Sequence, residues 1–223
     1  VDVPSRKIVV FSKDVSDDEV AVVLRDAKGV KIKRLRHSEN LVANLDNKAV
    51  AKLSKHANVL RIEDDIVVEA FENSADDVNG SAVRSASRSA TIVPAQVLPW
   101  GIDKIDAEKV WPLGETGTGI NVGVIDTGIS TSHPDLLANI KGGVSEVGYT
   151  RSYNDDNGHG SHVAGIIGAI NNTSGVVGAT PSVNLYAIKV LDRNGSGYLS
   201  DVVDGIDWAI ANNMKVINMS LGA

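Results

Sequence analysis

The spacing of apolar and polar positions changes period several times along the chain, and each change marks an element. Lys7–Phe11 is a β-branched run that predicts a strand. Ser16-Asp-Asp-Glu19 has the Ser-x-x-Glu form of a helix start. Val20, Val23 and Leu24 then share a helical face, and Gly29 suits the helix end. Val30–Leu35 and Leu41–Leu45 predict two more strands. Asn47–His56 predicts a second helix with Ala49, Val50 and Leu53 at helical spacing, and Val59–Ile62 and Ile66–Val68 are again β-rich. The order βαββαβ predicts a ferredoxin-like unit, a four-stranded antiparallel sheet with two helices on one face. Such a unit is common and by itself says nothing of function, and its charged helix surfaces read as solvated faces.

Further on the pattern becomes that of an α/β unit. Asn121–Ile125, Asn184–Val190 and Lys215–Met219 are compact apolar runs of the kind buried in parallel sheets. His162–Ile170 and Ser200–Ala211 read as helices, the latter with Val202, Val203, Ile206, Ala209 and Ile210 along one face. Between the two patterns Glu72–Ala90 is small and polar with no apolar period, as in a linker. The expected organisation is a first domain over 1–71, a linker over 72–94 and an α/β domain over 95–223.

Composition sharpens this division. The 223 residues carry 22 Lys and Arg against 28 Asp and Glu, a net charge of −6. Residues 1–71 hold 13 of the basic side chains, 12 of the acidic ones and a single glycine, so the acidity and the other 20 glycines lie beyond them. An acidic chain lacks the clustered basic face of a nucleic-acid binder. With no cysteine there are neither disulfides nor thiolate metal sites. No apolar run approaches the roughly 18 residues that a membrane helix needs, and the first ten residues lack the form of a signal peptide.

Parallel α/β sheets place chemistry in the loops after their strands, and the unusual residues fall there. Asp126-Thr127-Gly128 follows the first apolar run; in isolation such an Asp is more often a turn residue than a catalyst. Asn157-Gly-His-Gly-Ser-His-Val-Ala-Gly165 opens a helix. Its two histidines, three apart, are open to a reading as a metal pair, but no third ligand follows at a suggestive spacing. A histidine flanked by glycines suits proton transfer better, with an aspartate fixing its tautomer. Gly117-Thr-Gly119 precedes its strand, whereas a phosphate loop must follow one. Asp192–Gly197 starts like a calcium-binding EF-hand loop but has Val203 at the twelfth position.

These segments carry a family resemblance. Val124-Ile-Asp-Thr-Gly-Ile129 with Ser132-His-Pro-Asp-Leu136, Gly158-His-Gly-Ser-His-Val-Ala-Gly165, Val216-Ile-Asn-Met-Ser-Leu-Gly222 and Ala95-Gln-Val-Leu-Pro-Trp-Gly101 resemble subtilisin-like serine proteases. The resemblance implies a partial subtilisin-like parallel α/β domain over 95–223, preceded by a ferredoxin-like propeptide that acts as intramolecular chaperone and inhibitor. It implies peptide-bond hydrolysis in a secreted enzyme, with peptide or protein substrates and with the propeptide bound in the substrate groove.

Carried over, Asp126 is the orienting acid and His159 the general base, while His162 is structural. Gly195-Ser196-Gly197 and Ser220-Leu221-Gly222 are the two backbone segments between which an extended substrate is laid; apart from the resemblance, 194–197 reads as a plain surface turn. Phe71 ends the extended tail Val67–Phe71 and marks the expected processing site. A Ca2+ site is implied at Gln96, Asp135, Asn172 and the carbonyls of Ile170, Ser174 and Val176, all oxygen donors as a hard cation requires. Ser161 is expected to cap the helix after His159. The family's nucleophile, in Gly-Thr-Ser-Met-Ala, and its oxyanion asparagine match nothing in the 223 residues. The chain alone is therefore expected to be inactive, with the missing carboxyl-terminal part of the catalytic domain as a partner. The competing reading is a non-catalytic inhibitor or chaperone.

Overall fold

Residues 5–12, 15–36, 38, 40–71 and 95–223 are described by a computed structural model; the predicted linker over 72–94 lies outside the described residues. In the first part, β1 (Ser5–Phe11), β2 (Val30–Arg34), β3 (Leu41–Leu45) and β4 (Val59–Asp64) form a sheet of order β2-β3-β1-β4 with every pair antiparallel. Alternation along β3 sets the layers. Leu41, Ala43 and Leu45 join Val9 in one cluster with Val20, Val23 and Leu24 of α1 (Asp17–Asp26) and Ala49 and Leu53 of α2 (Asn47–Leu53). Val42, out of phase, is fully buried on the opposite face, where Lys33 pairs with it in register.

Local chemistry explains where the prediction slips. Ser16 does cap α1, accepting from the Glu19 N–H at 3.2 Å, but the Glu19 carboxylate accepts from Asn58 Nδ2 rather than returning to the cap. The left-handed residue after α1 is Lys28, at φ 61°, not Gly29. Gly29 is small for another reason: a Cβ there would lie 2.4 Å from Leu24 Cδ1 and 2.5 Å from Leu45 Cδ2. The second helix ends at Leu53, short of the predicted His56.

The chain then leaves the first sheet. β5 (Val67–Ala70) pairs with no strand of it and crosses to the second part. There two short helices, α3 (Trp100–Lys104) and α4 (Ala107–Val110), lead to a parallel sheet of order β10-β6-β8-β7, with β6 at Asn121–Asp126, β7 at Ile140–Ser145, β8 at Asn184–Lys189 and β10 at Val216–Met219. Its central strands β6 and β8 are apolar on both sides because both faces are covered there, whereas on the edge strand β10 Val216, Ile217 and Met219 are exposed, against the buried run predicted at Lys215–Met219. Val122 and Val124 of β6 pack with Ala164 of α5 (His159–Gly168), and Ile125 packs with Val202 and Ala209 of α6 (Leu199–Ala211). α5 begins on His159 itself, three residues before the predicted start. On α6 the predicted stripe is incomplete: Ile210 is exposed, while Asp201 and Asp204 are buried.

The two parts meet across α6. Lys33 donates to Asp201 at 2.7 Å and to Asp204 at 2.8 Å, and Arg36 pairs with Glu146. No side chain from its own N-cap position caps α6; Asp65 does so from the first part, accepting from Ser200 N at 2.8 Å and Ser200 Oγ at 2.9 Å, and is held in turn by Arg6. A carboxylate at a helix N-terminus satisfies orphan N–H groups and opposes the helix dipole.

Candidate active site

β6 ends on Asp126, and its neighbour β8 carries the polypeptide away at the same level, so the carboxylate is fully buried at the top of the sheet. Burial pushes its pKa up, against hydrogen bonds from His159 and Thr127 that hold it down. The Thr127 N–H donates to Oδ1 at 2.6 Å. The His159 ring faces the same carboxylate, with Nδ1 2.8 Å from Oδ1 and 2.9 Å from Oδ2. This fixes the tautomer and leaves Nε2 for proton transfer. The first turn of α5 can come so close because residue 160 is glycine: a Cβ there would sit 2.2 Å from the Gly128 carbonyl oxygen.

Asp155, which the sequence reading passed over, organises the turn before His159. It accepts from Thr127 Oγ1 at 2.8 Å, from the N–H groups of Asn157, Gly158 and Ser161, and from Ser161 Oγ at 2.5 Å. Burial works against its ionisation, but these bonds outweigh it and hold the carboxyl below the ordinary value of 3.8. Ser161 therefore does not cap α5 as expected. Gly158 occupies the N-cap position, and the Ser161 hydroxyl ties Asp155 to the Ser130 N–H. Lys189 was also missed, although it is the lone charge in an apolar strand run; it is fully buried.

The two backbone segments flank one extended strand. β9 (Ser196–Tyr198) and β11 (Leu221–Gly222) lie on either side of β5, both antiparallel to it. Val68 faces Gly197, Glu69 faces Ser196 and Gly222, and Ala70 faces Leu221. The Ala70 N–H donates to the Gly195 carbonyl at 2.8 Å and the Phe71 N–H to the Ser220 carbonyl at 2.9 Å. Val68 enters the apolar cluster of Ile125, Val190, Leu191 and Leu221. The Phe71 ring lies over Gly222, where a Cβ would fall 2.7 Å from Cε1, beside a cleft of about 700 Å³. The Phe71 carbonyl oxygen stands 3.2 Å from His159 Nε2. All six predicted backbone residues, Phe71 and the Asp126–His159 pair thus converge on one groove.

These arrangements agree with what the chain is similar to. Residues 117–223 match the subtilase family. That part of the chain is a subtilase. Subtilisin E of Bacillus subtilis (strain 168) is 43% identical over 197 residues, 87% of this chain and 45% of that protein. An alignment of that length extends well into residues 1–71. The "Thermostable alkaline protease" of Halalkalibacterium halodurans is 52% identical over 141 residues, 63% of this chain and 38% of that protein. Subtilisin Savinase of Lederbergia lenta is 53% identical over 129 residues, 58% of this chain and 47% of that protein. The chain spans about half the length of the curated relatives it matches.

The subtilase segment also gathers the predicted cation donors. Gln96 Nε2 donates to the Ile170 carbonyl at 2.8 Å, the Val176 carbonyl at 3.1 Å and Asn172 Oδ1 at 3.3 Å, so three oxygens converge on one amide nitrogen. Asp135, buried, accepts from Asn172 Nδ2 and the Val176 N–H. Gly175, at φ +69°, leaves it room: a Cβ would lie 2.0 Å from Oδ2. Ser174 enters through its N–H, which donates to Asn172 Oδ1. The convergence of neutral oxygens with a single carboxylate nearby fits a hard cation. Among the described residues no group of three or more His, Asp or Glu could hold a metal, and His162 is exposed on α5.

Proposed function

We propose that this chain is the amino-terminal part of a secreted serine endopeptidase precursor, with residues 1–71 as its inhibitory and folding-assisting propeptide. The observation that carries the reading is β5 as the middle strand between β9 and β11, with the carbonyl of the next residue, Phe71, at His159 Nε2. Main-chain pairing on both sides is how an extended peptide is held for cleavage, with side-chain pockets supplying preference. In the reaction Asp126 orients the imidazole and stabilises its charged form. His159 takes the proton of the attacking serine and later delivers it to the leaving amine. The serine and the oxyanion donor match no motif in these residues and are assigned to the remainder of the catalytic domain.

With Phe71 in place, His159 faces an acceptor at each ring nitrogen. A base so engaged is unavailable to a serine, which is what an inhibitory tail requires. Gln96, Asn172, Asp135 and the Ile170 and Val176 carbonyls would hold a calcium ion. Bound there, the ion supplies no chemistry to the reaction; it ties the segment at 96 to the loop after α5.

The test is kinetic. In the precursor that unites these residues with the family's nucleophile segment, His159→Ala lowers kcat by about 10⁶ and Asp126→Asn by about 10⁴. Turnover at the native rate after either change overturns the reading.

A further inference from the structure

Lys189 is a buried cation that the proteolytic reading leaves without a task. Its side chain rises from the end of β8, opposite Asp126 in register, and is fully excluded from solvent. An ammonium group has three N–H donors, and here each finds an oxygen: the Thr127 carbonyl at 2.6 Å, Asp156 Oδ1 at 2.6 Å and the Leu191 carbonyl at 3.0 Å. Those oxygens belong to three loops. Thr127 follows Asp126 and donates its N–H to that carboxylate. Asp156 lies in the turn that leads into His159. Leu191 begins the stretch to Gly195, whose carbonyl pairs with Ala70.

Burying a charge is costly unless it is paired and fully hydrogen-bonded, so a lysine at this point needs all three partners in place. The Asp156 carboxylate, partly exposed, is also bonded by the Tyr149 hydroxyl at 2.7 Å. Burial disfavours its ionisation, but the bonds from Lys189 and Tyr149 outweigh this and hold its pKa below the ordinary value.

We propose that Lys189 is a positioning residue, a charged strut that holds the Asp126 loop, the His159 turn and the substrate-strand loop in one mutual geometry. The proposal rests on the proteolytic reading for its purpose, not for its geometry. Because one nitrogen serves three loops, displacement of any one of them is felt by the other two. The acid, the base and the edge of the groove then behave as one unit.

The test uses the 223-residue chain and reads amide hydrogen exchange together with the ring N–H resonance of His159. Lys189→Met is expected to raise exchange by about tenfold or more at both 157–159 and 194–197, because bonds to a charged group are lost in each loop. Protection in α1 should remain unchanged, and the ring resonance should broaden. Asp156→Asn should raise exchange at 157–159, and adding it to Lys189→Met should raise it by less than it does alone, since the two share one bond.

A folded Lys189→Met chain with unchanged or uniformly raised exchange overturns the proposal. Where that variant does not fold, Asp156→Asn and Tyr149→Phe decide: exchange at 157–159 that stays at the native rate in both overturns it. Asp126→Asn separates the two readings. A ring resonance indifferent to Asp126 counts against the proteolytic reading, while the loop exchange still reports on the strut.

Discussion

The Phe71 carbonyl oxygen lies 3.2 Å from Nε2 of His159, at the point where β5 runs out between two flanking strands. On the proteolytic reading, the bond after Phe71 is the one presented to Asp126 and His159. Processing of the precursor should give a species that begins at Glu72, read by amino-terminal sequencing. The competing bond, Pro94–Ala95, follows a proline that has no N–H for strand pairing, and a start at Ala95 would overturn the assignment.

Lys33 is the cation between two buried carboxylates of α6. Lys33→Met leaves Asp201 and Asp204 without it, and one-sided removal of a buried charge partner costs about 3 kcal/mol, the low end because the lysine keeps some exposure. The loss should appear as weaker docking of β5, seen as faster exchange of the Ala70 and Phe71 amides. Burial pushes the Asp201 carboxyl up, against the pull of Lys33. A carboxyl raised in this way favours the docked state at low pH and loses that contribution as pH rises through its folded value. The defect should thus be larger at pH 8 than at pH 5.

Calcium should stabilise the chain by mass action, by about 2.7 kcal/mol at a hundredfold excess over Kd. Differential scanning calorimetry with and without chelator checks this, and Asp135→Ala should abolish the difference. A melting curve that ignores both calcium and chelator would remove the site.

Asp155 holds its carboxyl below 3.8 through five bonds around the His159 turn. A depressed carboxyl contributes stability that is present above the unfolded value and lost as pH falls through the folded one. Asp155→Asn should therefore cost about 1–2 kcal/mol at pH 7, partial exposure keeping the figure low. The gap from the native chain should close as pH falls below the unfolded-state value. Urea midpoints at pH 7 and near pH 2 measure both ends; equal gaps at the two would refute the role.

The 223-residue chain should hydrolyse no chromogenic peptide and take no label from a fluorophosphonate. Ser161 is engaged with Asp155, and Ser220 pairs Phe71 through its carbonyl. Covalent labelling of any serine in the chain would show that the nucleophile has been assigned to the wrong place.

What could be read in advance was what periodicity encodes. β3 and the buried face of α1 followed from alternation and helical spacing alone, and Asp126 and His159 from the loops they open. β7 was passed over because Gly142 and Gly143 interrupt its apolar pattern. Gly143 is needed there, since a Cβ would lie 2.2 Å from the Ala187 carbonyl oxygen. Asp201 and Asp204 gave no sign of burial because the basic side chain that pairs with both, Lys33, comes from 168 and 171 positions away. Asp155 and Lys189 act through backbone groups of distant loops, and no spacing rule announces that. Lys189 alone left a trace, a charge inside an otherwise apolar strand.

β9 and β11 touch no common strand except β5, and neighbouring strands stand about 4.8 Å apart. The channel between them is thus about 10 Å from one backbone to the other, the width of a single extended chain. A helix, with a diameter of about 10–12 Å including its side chains, does not fit, and neither does a strand still paired to its own sheet. On the proteolytic reading the groove is a sieve for local unfolding. It admits segments of a target protein that come free of their secondary structure, so among segments with the same side chains the rate at which a folded target is cut reports how often each one opens.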